Sequence, residues 1–169
     1  HETVGENAYL NIINQAKQYV YIFTPYLIID NEMMTCLCLA AKNGVDVRIV
    51  TPGIPDKKLV FLLTQSYYEQ LIDAGVKIYE YEPGFLHAKS FVCDDEVATV
   101  GSINLDYRSL YLHFECGVWM YRSRAVMQVK EDVMDTLKHS REITKEYCQN
   151  RNMMVRLTQS LLRLMAPLL

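Results

Sequence analysis

No stretch of the sequence reaches the ~18 consecutive apolar residues that a membrane-spanning helix needs. The first five residues are polar, so no signal peptide is expected, and His1 in place of Met points to an excised segment. A disulfide framework is also missing. The five cysteines, at 36, 38, 93, 116 and 148, are an odd number with no repeated spacing, so reduced thiols in a cytosolic setting are expected. Cys36 and Cys38 flank one residue, but no second pair follows, and they read as small apolar fillers on a helix. Seven glycines and five prolines are too few for a collagenous or low-complexity chain. Positive charge is not in excess either: 17 Lys+Arg stand against 20 Asp+Glu, a formal net charge of −3, which argues against a strongly basic nucleic-acid binder.

What remains is a globular balance. The 169 residues are half hydrophobic and 22% charged, which suits one folded domain. The charge is uneven along it. Residues 1–121 carry 8 basic and 15 acidic groups, whereas residues 122–169 carry 9 basic and 5 acidic. From residue 147 onward there are three arginines and no acid, a pattern suited to a surface that meets anions, including anionic lipid.

Hydrophobic periodicity predicts alternating elements. Residues 6–18 space Ala8, Ile12, Ile13 and Ala16 as a helix, and 19–24 (YVYIFT) read as a strand ended by Pro25. Asp30 or Asn31 can cap a helix through Met33, Met34, Leu37 and Ala41, which Asn43-Gly44 stops. A strand over 45–51, a loop over 52–56, a helix over 59–74 closed by Gly75 and a strand over 76–81 follow. This alternation implies an α/β fold with a mixed, largely parallel sheet flanked by helices on both faces. Residues 89–93 and 97–100 read as a hairpin around Asp94, Asp95 and Glu96, and 114–121 as a further strand. Ser123 can cap a long helix with Val126, Val129, Val133, Leu137 and Ile143 inward. Residues 1–150 would form the body of the domain and 151–169 a C-terminal amphipathic helix.

The chemistry concentrates in 87–115, HAKSFVCDDEVATVGSINLDYRSLYLHFE. On a strand, His87 and Lys89 would project from one face, about 6.5–7 Å apart along the chain. A neutral imidazole there is a nucleophile and an ammonium beside it holds an anion. Asp94 has the opposite parity and reads as a structural acid near the turn. Gly101 allows close backbone approach, and Ser102 and Asn104 offer a hydroxyl and an amide donor to phosphate oxygens without adding charge. Glu115 could accept a hydrogen bond from one nitrogen of the His87 imidazole and leave the other free to attack. His113 is a second imidazole candidate, and His139 a surface residue. The acids at 94–96 are a solvated turn before they are a metal site.

His87, Lys89, Asp94, Gly101, Ser102 and Asn104 fit H-x-K-x4-D followed by G-S-x-N, which resembles the signature of the phospholipase D superfamily. The surrounding segment, together with TPYLIIDNEMM, GVDVRIVTPGIPDKK, AGVKIYEYEPGFLHAKS and the ending in Ala166, Pro167, Leu168 and Leu169, is similar to the second signature region of bacterial cardiolipin synthases. His113 stands where that pattern has asparagine. The family carries two motifs in one chain preceded by membrane-spanning segments; this chain carries one motif and no such segment, so the missing N-terminal half or a homodimer is expected to complete it.

The resemblance implies a phosphatidyltransferase at the cytoplasmic side of a bacterial cell membrane, acting on phosphatidylglycerol or another anionic phospholipid. One histidine attacks phosphorus and another protonates the leaving alcohol, and His87 would take one of these roles. Lys89 and Asn104 would hold phosphoryl oxygens and Glu115 would orient His87. Tyr26, the 52–56 segment and Phe85 are candidate walls of the substrate pocket. No metal, cofactor or nucleic acid is expected. A single-motif phosphodiesterase or nuclease acting as a homodimer, or a non-catalytic interaction domain, are the alternatives. In the tail, Met154, Leu157, Leu161, Leu164, Met165 and Leu168 form one stripe of a helix and Arg156, Gln159 and Arg163 lie opposite. That stripe suits a membrane interface or the domain's own core, and Val155 and Leu162, off the stripe, favour burial on more than one side.

Overall fold

The β-branched and aromatic run YVYIF forms the central strand β1 (Tyr19–Phe23), and all five of its residues are buried. It follows α1 (Val4–Gln15) and precedes a two-residue strand β2 (Leu27–Ile28). Then come α2 (Asn31–Lys42), β3 (Asp46–Pro52), α3 (Lys58–Ser66), α4 (Tyr68–Asp73) and β4 (Lys77–Tyr81). The hairpin β5 (Ser90–Cys93) and β6 (Val97–Gly101) leads through β7 (Leu105–Asp106) and a π-helix (Arg108–Leu112) into β8 (Gly117–Tyr121). The chain ends with α5 (Arg124–Lys138), β9 (Ser140–Ile143), α6 (Lys145–Gln149) and α7 (Met153–Met165). This is a computed structural model that describes residues 2–166. His1, Pro167, Leu168 and Leu169, on which part of the sequence reading rests, lie outside it.

The main sheet runs β8-β6-β5-β1-β3-β4-β9. β1, β3 and β4 are parallel, as the helix–strand alternation requires; the hairpin and the two outer strands join antiparallel. Two of the six pairings are therefore parallel, and the sheet is mixed. One face packs on α1, α2, α3 and α4 through residues such as Ile13, Met33, Leu37, Leu63 and Leu71. The other is covered by α5 through Val126 and Val133.

The local signals explain most boundaries. Asp30 caps α2, its carboxylate accepting from the Met33 amide at 2.8 Å. Gly44 and Gly75 follow α2 and α4 with φ of 91° and 100°, the left-handed conformation that glycine adopts without a Cβ penalty. At Gly101 an added Cβ would lie 2.3 Å from the carbonyl oxygen of Cys116, so β6 and β8 close up only around a residue with no side chain.

Four expectations are corrected. The helix over 59–74 breaks at Tyr67 into α3 and α4, where the Ser66 hydroxyl donates to the Leu63 carbonyl at 2.6 Å and competes with the helical ladder. Ile143 is not on the long helix: α5 stops at Lys138, and Ile143 is buried on β9, where it pairs with Ile78. β9 covers the open edge of β4 and brings Arg141 to the buried Glu80 at 2.8 Å. The strand expected from 114 begins at Gly117, after the π-helix and a short loop. Ser123 sits at the start of α5 without making a side-chain cap.

Asp94 and Asp95 have φ of 50° and 60° and make the hairpin turn. The Asp94 carboxylate accepts from the backbone amides of Lys17, Gln18 and Tyr19 at 2.7, 2.9 and 2.8 Å. Asp95 accepts from Tyr19 and Lys130, and Glu96 pairs with Arg122, so all three acids at the turn are engaged. Hydrogen bonds to an ionised acceptor each contribute more than neutral ones. Asp94→Ala is expected to destabilise the fold by about 2 kcal/mol, measured as a shift in the urea midpoint at constant m-value.

Candidate active site

The site lies at one edge of the main sheet. β5 runs antiparallel to β1, with Phe23 opposite Ser90, so the extended segment entering β5 lies beside the carboxyl end of β1. This segment carries His87 and Lys89, just before the strand rather than on it. Ser90 opposes Val100, so Gly101, Ser102 and Asn104 leave β6 at the same edge. Loops at the carboxyl ends of parallel strands, next to a change of strand direction, are where α/β sheets form their crevices.

His87, Lys89, Ser102 and Asn104 line one pocket of ≈520 Å³. Its remaining walls include Val100 on β6, and Val129 and Asp132 on α5. The sequence reading took Val129 only as an inward position of the helix and passed over Asp132, three residues on and so on the same helical face. Tyr26 and Phe85 flank the imidazole, their ring centroids 6.4 Å and 5.4 Å from it. The Tyr26 hydroxyl donates to Asp56 at 2.5 Å, which joins the loop after β1 to the loop after β3.

Partial desolvation, then the Lys89 charge, hold His87 below the ordinary imidazole pKa, opposed by Asp56. A neutral imidazole near pH 7 is the form with a free lone pair. Lys89 donates to the His87 carbonyl at 2.7 Å. Desolvation lowers its pKa, and the Glu115 and Asp106 charges work against that.

Glu115 does not reach His87. It accepts from the Ser102 hydroxyl, and its other oxygen is 3.7 Å from His113 Nδ1. Its electrostatic effect falls on Lys89. The expected imidazole–carboxylate pair is therefore replaced by a serine–carboxylate pair, because the loop before β8 is pinned at Ser102: the Cys116 amide donates to the Ser102 hydroxyl at 3.0 Å, and the Ser102 amide to the Cys116 carbonyl at 2.8 Å. The Ser102 hydroxyl, read as a phosphate ligand, is thus committed to its own loop. Asn104 differs. Its carboxamide lies at the pocket wall, with the oxygen buried and without a partner. Its backbone is fixed on both sides: Tyr9 donates to the Ile103 carbonyl at 3.0 Å, and the Leu105 amide to the buried Thr24 hydroxyl at 3.0 Å.

Behind this loop the Tyr111 hydroxyl contacts the carboxylates of both Glu6 and Asp30. One phenol proton cannot serve two anions. Burial, the Tyr111 bond and the neighbouring Asp30 act on Glu6, and the net direction of its pKa is upward. Among the described residues, Glu6, Asp30 and Glu32 are the group of acids close enough to share a metal ion. Tyr111 already occupies two of them.

The fold and this motif define a phospholipase D-like domain. The family model described as "Cardiolipin synthase, PLD-like domain" matches residues 9–137, and the chain belongs to that family. It is 54% identical over its full length to an uncharacterized protein of Streptococcus mutans, covering 37% of that protein. It is 41% identical over 166 residues, 98% of its own length, to a cardiolipin synthase of Geobacillus kaustophilus, covering 33% of it. The chain thus spans about a third of the length of the curated relatives it matches. The crystal structure of a phosphatidylserine synthase from Haemophilus influenzae superposes with a TM-score of 0.74 at 17% identity, covering 96% of this chain and 42% of that one.

Two outcomes follow for titration. Lys89→Met removes a positive neighbour, so the His87 imidazole should titrate at higher pH, read by NMR from its ring protons. Glu6, with its pKa raised above the ordinary 4.5, contributes stability that is complete below that value and is lost as pH rises through the folded-state pKa. Glu6→Gln should therefore stabilise the protein near pH 7–8 relative to wild type. The gap should close as pH falls toward the ordinary carboxylate range, read by thermal unfolding across pH.

Proposed function

We propose that residues 1–150 form one catalytic half of a cardiolipin synthase, in which His87 takes part in phosphatidyl transfer between two phosphatidylglycerol molecules. The observation that carries the reading is the neutral-leaning His87 imidazole sharing a pocket with the Lys89 ammonium and the Asn104 carboxamide. A nucleophile, a cation and a neutral donor are the parts that in-line substitution at a phosphodiester requires.

In this mechanism one imidazole lone pair forms a bond to phosphorus as the phosphorus–oxygen bond to glycerol breaks. A second imidazole gives its proton to the leaving glycerol oxygen. The primary hydroxyl of the acceptor lipid then attacks the phosphohistidine, passes its proton back to the second imidazole and frees the first. The products are cardiolipin and glycerol. The lowered pKa of His87 suits the nucleophile, since the proton donor must begin protonated. Lys89 and Asn104 would bear the charge on the phosphoryl oxygens, and Glu115, through Ser102 and its field on Lys89, would hold this cradle in place. Tyr26 would shape the rim beside the imidazole. An apolar hollow of ≈640 Å³ between α1, the π-helix and β8 shares Val100 with the pocket and offers room for acyl chains. The second imidazole would come from the remainder of the longer protein or from a second copy of this chain.

In the complete protein, with both halves present, His87→Ala is expected to lower cardiolipin formation from phosphatidylglycerol by about 10²–10⁴-fold if His87 is the proton donor, and further if it is the nucleophile. Acid-quenched turnover of labelled phosphatidylglycerol separates the two roles: label trapped on histidine disappears with His87→Ala only if His87 is the nucleophile. Unchanged turnover in that variant removes His87 from the mechanism.

A further inference from the structure

The C-terminal helix is mounted in the reverse of the usual sense for a surface helix. Its polar side faces the domain: Gln159 is 6% exposed and donates to the Leu62 carbonyl at 3.1 Å, Arg156 pairs with Glu69 at 3.4 Å, and the Arg163 guanidinium lies 4.5 Å over the Tyr67 ring. Its apolar side faces out. Met154, Leu157, Leu161 and Leu164 are 70%, 59%, 58% and 78% exposed, with Met153 and Met165 extending the stripe. An amphipathic helix normally buries such a stripe against its own core. Here the hydrogen bonds of the polar side exclude that.

We infer that the outward face of α7 is a docking surface for an anionic phospholipid bilayer, with the helix lying in the interface and its stripe in the acyl region. Three observations select this occupant. Arg156 stays 51% exposed beside Glu69, and no acid follows residue 146, which complements anionic headgroups. The stripe is entirely methionine and leucine, whereas the centres of protein–protein contacts favour Trp and Tyr. At 13 residues the helix is about 20 Å long, and among the described residues none is long and apolar enough to cross a membrane, so it lies along the surface. α7 packs on α3, and the approach to α3 contains exposed Ile54 and the Asp56 that holds Tyr26 beside His87. The inference goes beyond the transfer reading and does not depend on the role of His87.

The test is flotation of the 169-residue chain with phosphatidylglycerol vesicles and with phosphatidylcholine vesicles, alongside a Leu157→Glu/Leu161→Glu double variant. Wild type should float with phosphatidylglycerol, at least tenfold more weakly with phosphatidylcholine, and with a loss at high salt. The double variant should lose at least tenfold in binding, with its circular dichroism and melting temperature unchanged because both side chains are exposed. As a second readout, Leu161→Trp in a Trp119→Phe background should be quenched by brominated phosphatidylglycerol. Equal binding by the double variant, no quenching, or no preference for the anionic lipid overturns the proposal. So does a result in which the double variant changes only the mass in solution, which would make the stripe a contact between protein chains. Turnover is not read, so failure here leaves the catalytic reading standing, and failure of that reading leaves this one.

Discussion

Everything in this domain hangs on β1. All five of its residues are buried, it runs parallel to β3 and antiparallel to β5, and it is therefore, with β4, one of the two strands at which the sheet passes from parallel to antiparallel pairing. A strand buried on both faces tolerates no slip, because a one-residue shift would exchange its two sides. The Asp94 carboxylate enforces the same register from the far end, gripping three consecutive amides where α1 passes into β1. With β1 and the hairpin so locked, the opposite edge is fixed as well, and there the entry to β5 and the exit of β6 place His87, Lys89 and Asn104 around one pocket.

In the proposed reading an acidic body must hold an anion with few charges. Lys89 faces acids from two elements, Glu115 and Asp106, which keep its charge against desolvation but also reduce the field it presents to a substrate. The neutral carboxamide of Asn104 adds hydrogen bonding without adding charge, and its backbone is held between Tyr9 and Thr24.

Much of this was legible. The alternation of apolar runs with Gly44 and Gly75 located the parallel strands, and the pair Asp30 or Asn31 marked a helix start. What was not legible was decided by tertiary partners. Ile143 kept the helical spacing of α5, yet the open edge of β4 takes residues 140–143 as a strand. Glu115 was near enough in sequence to serve His87, but Ser102 and the Cys116 amide hold its loop elsewhere. For α7 the periodicity is symmetric with respect to the answer: a stripe and its opposite face are equally visible whichever one turns inward, and only Glu69, the Leu62 carbonyl and Tyr67 decide it.

The exposure of His87 is the remaining constraint on any transfer chemistry. A phosphohistidine open to bulk solvent would be attacked by water, present at tens of molar, before it met a lipid alcohol. Partial desolvation beside Tyr26 and Phe85 shields one side of the ring only. In the proposed transfer the pocket would need a cover that the described residues do not supply, and excluding water would also strengthen the Lys89 and Asn104 contacts in the same step. In the transfer reading, whatever brings the second imidazole must also close the pocket. The two requirements become one, and they make pairing of halves a condition of selectivity for lipid over water as well as of rate.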